Sequence, residues 1–151
     1  MTAMSSKPTP LCFPARGRLR TGIDTVQIAR IAASWAELGD RFLQRLYAPD
    51  EIAYALAAPV HTAERLAVRF AAKEAVIKAL GLSEAGVSWR DIEVRREADG
   101  ACSLALHGRA AEVARTLNIC DLSLSLSHEA DHAVAMVVAF SDRAPNDHPS
   151  S

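Results

Sequence analysis

One stretch, residues 63–80, most constrains how this chain can fold, because its residues follow the pattern of a single long α-helix. Thr62 stands before it as a candidate N-terminal cap, since its side-chain oxygen can accept a hydrogen bond from a free backbone N–H. Gly81 stands at its end, where a left-handed residue commonly stops a helix. We predict that this helix is the central element of the fold.

Shorter elements surround the long helix and predict an α+β fold. Helices are expected from about Val26 to Gly39, over residues 42–47 and over residues 50–58, and Pro49 suits the first turn of the last of these. Strands are expected at residues 19–23, 91–96, 101–107, 122–127 and 132–140, with a hairpin turn at 97–100 and a short helix at 108–117. The pattern indicates a small, mostly antiparallel sheet packed with the long central helix and the shorter helices.

Length and composition favour one globular domain. The chain has 151 residues, of which 50% are hydrophobic and 23% are charged, so it can bury a core. We assign the domain to residues 18–140. Residues 1–17 form a leader and residues 141–151 a tail, and both are rich in Ser and Pro and are predicted to be disordered.

Charge and cysteine content narrow the classes of function. The formal net charge of −1 gives no bulk argument for binding nucleic acid. No apolar run approaches the ~20 residues that a bilayer requires, and the N-terminus lacks the apolar region of a signal peptide. Cys12, Cys102 and Cys120 are spaced unlike a zinc site. Free thiols in a reducing compartment are the simpler interpretation, and they indicate a cytoplasmic protein.

Charges recur along the long helix at one-turn spacing. Arg69 and Lys73 share one strip of its surface, and Glu74 and Lys78 share another. A carboxylate among cations suits metal-assisted chemistry on a phosphate, which needs an oxygen ligand for a hard cation and positive groups for the phosphate oxygens. The alternative is a helix-stabilising Glu–Lys pair, which contributes about 0.2–0.5 kcal/mol.

Four segments together carry a resemblance to a known family. They are Gly22-Ile23-Asp24, Arg69-Phe70-Ala71-Ala72-Lys73-Glu74-Ala75, Trp89-Arg90-Asp91-Ile92-Glu93-Val94 and Ser125-Leu126-Ser127-His128. In this order the chain resembles the phosphopantetheinyl transferases of the holo-[acyl-carrier-protein] synthase type, from about Arg18 to Phe140. The resemblance implies the fold of that family. It also implies transfer of 4′-phosphopantetheine from coenzyme A to a serine of an apo carrier protein, with release of 3′,5′-ADP.

The resemblance assigns a metal site to two carboxylates. In the family, the residues that match Asp24 and Glu74 hold Mg²⁺, and the Glu or a water on the metal helps to take the serine proton. Mg²⁺ prefers oxygen ligands and usually takes only one or two carboxylates. Without the resemblance, Asp24 would be interpreted as a helix cap, a role that suits Asp well.

The resemblance also assigns the groups that would meet coenzyme A. Lys78 corresponds to a Lys that neutralises the pyrophosphate, and it forms the catalytic set with Asp24 and Glu74. Arg69 and Lys73 would approach the phosphates of coenzyme A. Ser127 and His128 would lie near the nucleotide, with His128 as a phosphate or ribose contact.

Partners follow from the same resemblance. Carrier proteins of this class are acidic, so the resemblance implies a positively charged surface that binds them. Arg30 matches the family's Arg in the first helix. Arg41 and Arg45 would either extend this positive surface or be ordinary solvated arginines. The family's synthase type is a homotrimer with its sites between subunits. Two alternatives stay open: a catalytically weak paralogue that binds coenzyme A or a carrier without transfer, and a purely structural oligomerisation domain.

Overall fold

The computed structural model describes residues 17–142. The leader (1–17) and tail (141–151) predicted to be disordered lie outside this range except for Gly17, Ser141 and Asp142, and Ser141 is the last residue of a strand. The elements in chain order are β1 (Arg18–Gln27), α1 (Ile28–Leu38), α2 (Asp40–Leu46), α3 (Pro49–Leu56), α4 (Thr62–Leu80), β2 (Ile92–Arg96), β3 (Cys102–Leu106), α5 (Gly108–Thr116), β4 (Ile119–Glu129) and β5 (His132–Ser141). Short 3₁₀ turns occupy Pro59–His61 and Trp89–Asp91. The α+β architecture is therefore the one that the sequence predicts.

Three long strands form the main sheet, in the order β1-β5-β4, and both pairings are antiparallel. Strand β5 lies in the middle and alternates strictly, because Ala133, Ala135, Val137 and Ala139 are buried while the residues between them face the other side. The pairing of β1 with β5 runs without interruption from Arg18↔Ser141 to Gln27↔His132. One face of the sheet is thus covered and the other is left for solvent or a partner.

Helix α4 covers the buried face of the sheet. Its alanines are the reason that it can pack so closely, since Ala67, Ala71 and Ala75 are each 0% exposed and keep the helix narrow. Gly22 provides the closest approach, because a Cβ at this position of β1 would overlap the backbone carbonyl of Ala75. The helix ends at Gly81, which has φ +66°. Strand β1 and helix α4 are therefore held in fixed register at Gly22.

The hairpin of β2 and β3 forms a second, two-stranded sheet beside α3 and α4. Its turn is closed by hydrogen bonds between Glu97 and Ala101 and from the Gly100 N–H to the Glu97 carbonyl. Across residues 17–142, no helix has both the length and the apolar character to cross a bilayer.

Two local expectations are corrected. Thr62 is not the cap of α4: the helix already includes it, His61 holds the cap position, and the Thr62 hydroxyl donates to the Ala55 carbonyl at 3.0 Å. Strand β1 runs to Gln27 rather than ending at Ile23, so Asp24 is a strand residue and does not cap α1. The long antiparallel pairing with β5 extends the strand through Val26 and Gln27, so α1 begins at Ile28 and not at about Val26 as the sequence predicts.

Candidate functional site

Strand β1 and helix α4 bring together the three residues of the expected catalytic set. Gly22 presses the strand onto the helix, and Asp24 follows two positions later on the same face. Glu74 and Lys78 lie one turn apart on α4. The structure therefore places Asp24, Glu74 and Lys78 side by side at the junction of the two elements.

Lys78 pairs with Asp24 and not with Glu74. Its Nζ donates to Asp24 Oδ1 at 2.8 Å and to the Ile23 carbonyl at 2.9 Å. The hydrogen bond that Lys78 donates to Asp24 is the main reason that the pKa of Lys78 is raised. The Lys78 side chain is 52% exposed, whereas that of Asp24 is 17% exposed, so the ammonium group stands at the open side of the site. The intrahelical Glu74–Lys78 pair considered from sequence is not the pair that forms.

Glu74 lies in an environment that disfavours its negative charge. Partial burial raises the pKa of Glu74, the nearby Asp24 carboxylate raises it further, and Lys78 acts in the opposite direction. Two carboxylates close enough to repel one another, with one cation beside them, favour the binding of a further cation.

The donor set at this junction fits Mg²⁺. Both groups are carboxylates, the oxygen ligands that a hard divalent cation prefers. In the range 17–142, no cluster of three or more His, Cys, Asp or Glu side chains could hold a metal ion. Two carboxylates are nevertheless sufficient, because Mg²⁺ commonly completes its shell with water and with substrate phosphates.

A cavity of about 360 Å³ lies along the first half of α4. Arg69 and His128, two of the residues expected at coenzyme A, both line it. His128 Nδ1 is 3.4 Å from a Glu64 carboxylate oxygen, and its side chain is 51% exposed. Arg69 is only 4% exposed, yet its Nε has no hydrogen-bond partner within the described part of the chain. A buried donor without a partner beside a cavity is the arrangement expected where an anion binds.

An aromatic ring organises the cations of this cavity. The guanidinium carbons of Arg65, Arg69 and Arg96 lie 4.1, 4.4 and 5.3 Å from the centre of the Tyr54 ring. Arg96 also donates to the Tyr54 hydroxyl at 2.9 Å, and Arg65 donates to the Tyr54 carbonyl at 2.7 Å. We call these four residues the Tyr54 cluster; guanidinium groups held in this way suit recognition of phosphate.

The position of Lys73 corrects the expectation that it approaches coenzyme A. Its side chain is 0% exposed, and its Nζ donates to Glu51 at 2.8 Å, to the Trp89 carbonyl at 3.2 Å and to the Ile92 carbonyl. All three protons of the ammonium group are therefore used inside the core. Burial lowers the pKa of Lys73, and the Glu51 carboxylate opposes that shift.

The remaining expected residues lie at the surface. Ser127 is exposed. Because Ser127 and His128 are consecutive residues of β4, their side chains point to opposite sides of the sheet, and a single chain does not bring them together. Arg30 on α1 and Arg41 and Arg45 on α2 are all exposed. They are free to form the positive surface that the sequence predicts.

Sequence reasoning missed Tyr54, Arg65, Arg96 and Glu51. Arg65 had a detectable signal, because it stands one helical turn before Arg69 and so shares its strip of surface. Tyr54 lies on α3 and Arg96 on β2, and no local sequence pattern indicates that these two elements pack against α4.

The paired carboxylates and the guanidinium cluster define a protein suited to phosphate chemistry, and comparison with known proteins specifies its family. A family model described as the 4′-phosphopantetheinyl transferase superfamily matches residues 20–137. The chain belongs to this superfamily. The holo-[acyl-carrier-protein] synthase of Koribacter versatilis (strain Ellin345) is 48% identical over 121 residues, which cover 80% of this chain and 96% of that protein. That of Gloeobacter violaceus is 46% identical over 118 residues, 78% of this chain and 89% of that protein.

Solved structures agree with this assignment. The coenzyme A complex of the Chronobacterium ammoniagenes enzyme has a TM-score of 0.72 and 31% identity, covering 83% of this chain and 99% of that chain. The Helicobacter pylori holo-[acyl-carrier-protein] synthase in complex with coenzyme A has a TM-score of 0.69 and 34% identity, covering 79% and 98%. The fold predicted from the sequence is confirmed by these similarities.

Proposed function

We propose that this protein is a holo-[acyl-carrier-protein] synthase, which transfers 4′-phosphopantetheine from coenzyme A to a serine of an apo acyl carrier protein and releases 3′,5′-ADP. The observation that carries the proposal is the meeting of Asp24, Glu74 and Lys78 where β1 crosses α4. Each of these residues stands in a motif of the family, and the geometry joins motifs that are far apart in the chain.

In the proposed reaction, the serine oxygen attacks the β-phosphorus of coenzyme A and the bond to the 3′,5′-ADP oxygen breaks. Glu74 is placed to help take the serine proton, the role that the family resemblance assigns to it. Lys78, exposed and fully charged, is placed to neutralise the pyrophosphate. Asp24 and Glu74 would hold Mg²⁺, which supplies further neutralisation of the phosphate charge when it is bound.

The cavity beside the Tyr54 cluster is the proposed site for the nucleotide part of coenzyme A. Arg69 offers a buried donor that has no partner among residues 17–142, and His128 stands at the rim. A guanidinium can donate two parallel hydrogen bonds to one phosphate, which suits Arg69 to this role.

The surface of α1 and α2 is the proposed docking site for an acidic carrier protein. Arg30, Arg41 and Arg45 are exposed there and give it positive charge. Docking by opposite charge is salt-dependent, and Arg30→Glu tests it. The KM for the carrier should rise much more than the KM for coenzyme A. An unchanged carrier KM would place docking elsewhere.

We further propose a homotrimer with its active sites between subunits. The uncovered face of the main sheet carries Leu19, Ile23 and Met136, which are 51%, 61% and 43% exposed. A face with several large apolar side chains is typical of a protein interface. Ile23 and Met136 pair across β1 and β5. Asp24 lies on the opposite face of β1, but β1 is an edge strand of the main sheet, so a neighbouring subunit that covers the exposed face and wraps around this edge would reach the active site.

We place the reaction in the cytoplasm, where carrier proteins and coenzyme A are expected to meet. The free thiols of Cys102 and Cys120 agree with a reducing compartment.

The direct test incubates the protein with apo carrier, coenzyme A and Mg²⁺ and measures the intact mass of the carrier. A gain of one phosphopantetheine group per carrier, lost with a chelator and in Glu74→Gln, would support the proposal. Binding of coenzyme A without any gain in carrier mass would instead identify a paralogue that does not catalyse transfer.

A further inference from the structure

Glu51 is a buried carboxylate that the proposed chemistry does not use. Its side chain is 0% exposed, and both of its oxygens are occupied. Oε2 accepts hydrogen bonds from the Ala48 N–H at 2.7 Å and from Lys73 Nζ at 2.8 Å, and Oε1 accepts one from the Val94 N–H at 3.0 Å. One carboxylate therefore connects α3, α4 and β2.

The three elements connected by Glu51 are those that carry the Tyr54 cluster. Tyr54 lies one turn after Glu51 on α3, and Arg69 lies one turn before Lys73 on α4. Arg96 lies two residues after Val94 on β2 and so points to the same side of the strand. Glu51, Lys73 and Val94 thus each lie on the same element as one member of the cluster and within one turn or two strand residues of it.

The cluster needs such support because it gathers like charges. Guanidinium groups around one ring repel one another, and the attraction of each to the ring is modest. Burial lowers the pKa of Arg69, and the Glu51 carboxylate is the largest influence in the opposite direction. Glu51 therefore acts on the cluster through charge as well as through backbone geometry.

We propose that Glu51 is a positioning residue: with Lys73, it fixes α3, α4 and β2 so that Tyr54, Arg65, Arg69 and Arg96 face the cavity as a preformed anion site. This inference rests on the proposed function in one respect, namely that the anion is the nucleotide part of coenzyme A. Glu51 itself does not touch the substrate, since its oxygens are all engaged within the core.

The test uses the double variant Glu51→Gln/Lys73→Met, which removes both buried charges together. Losing only one would leave an uncompensated charge in the core, whereas losing both can be close to neutral for stability. The matched control is Arg109→Met/Glu112→Gln, which removes an exposed pair whose side chains are 54% and 57% exposed on α5. Circular dichroism and thermal melting establish the folded fraction of each variant at the assay temperature.

Binding of 3′,5′-ADP without metal or carrier is then measured by calorimetry. The folded double variant should bind about tenfold more weakly than the wild type, with a parallel rise in the KM for coenzyme A and an unchanged KM for the carrier; tenfold corresponds to about 1.4 kcal/mol. The control pair should bind like the wild type. Unchanged affinity for 3′,5′-ADP in the folded double variant would overturn the inference.

A second measurement needs only the wild type and covers the case in which the double variant does not fold. If Glu51 couples the network to the site, 3′,5′-ADP should slow hydrogen exchange at the Ala48 and Val94 amides, which donate to Glu51. Exchange at these amides that does not change at saturation would count against the coupling. Carrier modification by the wild type is assayed in parallel, because its absence would refute the proposed function and not the role of Glu51.

Discussion

At the scale of single residues, the Asp24 carboxylate adds to the effect of burial on the pKa of Glu74. Asp24 is one cause of the raised pKa of Glu74, so Asp24→Asn should lower that pKa. A carbon-detected NMR titration of the Glu74 carboxyl, without metal, measures the shift. A Glu74 pKa that does not move in Asp24→Asn would show that the two carboxylates do not interact.

The same pKa gives the sign of a pH effect on stability. The folded chain binds the Glu74 proton more tightly than the unfolded chain, because burial raises the pKa above its ordinary value of 4.5. The stabilisation from this group is therefore present below that value and is lost as the pH rises through the folded pKa. In Asp24→Asn the stability lost as the pH rises should be smaller. Urea unfolding of both proteins at several pH values measures the free energy of unfolding and checks this difference.

Two lysines of α4 should respond to substitution in different ways. Lys78→Met should cut turnover strongly and leave the unfolding transition almost unchanged, because the Lys78 side chain is 52% exposed. Lys73→Met leaves the buried Glu51 carboxylate uncompensated and should lower the free energy of unfolding by roughly 3–5 kcal/mol. Denaturant unfolding and the carrier mass assay separate the two effects. Equal losses of turnover with equal stability would contradict the assignment of Lys73 to the core.

At the scale of elements, the contact of β1 with α4 sets the geometry of the site. Gly22→Ala places a methyl group against the Ala75 carbonyl, so the strand must move away from the helix. The expected result is a large loss of turnover, since Asp24 moves with the strand, and a loss of stability of about 1–3 kcal/mol. Gly39→Ala is the control for a loss of stability away from the site: Gly39 has φ +59°, so an alanine there strains the backbone, but its Cβ meets no atom within 4 Å. Similar turnover in Gly22→Ala and Gly39→Ala would mean that the close approach does not position the site.

Elements with local signals were predictable, and those fixed by tertiary contacts were not. The Gly81 stop, the 97–100 turn and the alternation of β5 are all readable within a few residues. The burial of Lys73 could not be predicted from the sequence, because other elements cover α4 on several sides and some of its charged residues are buried. Within the candidate site, the motifs supplied Asp24, Glu74 and Lys78, whereas the Tyr54 cluster depends on the meeting of three elements distant in sequence.

At the scale of the whole molecule, a shared site predicts complementation between inactive variants. One variant carries Glu74→Gln. The other carries Met136→Lys on the uncovered face of the sheet, where Met136 is 43% exposed and would meet a neighbouring subunit. Mixed trimers should regain some activity, because at some interfaces the subunit that supplies Glu74 and the neighbour that supplies Met136 both keep the wild-type residue. Light scattering is run on the same samples. A fully active wild-type monomer at assay concentration would refute the shared site.

The uninterrupted pairing of β1 with β5 has a consequence for protein engineering. Arg18 and Ser141 lie opposite each other at one corner of the sheet, so a few flexible residues between them would close the described chain into a ring. Fusions attached at these two positions would leave the fold from the same point. That point is about 20 Å along the strand from Asp24, since each strand residue advances about 3.3 Å. The fold thus offers one corner for attachment that is well separated from its chemistry.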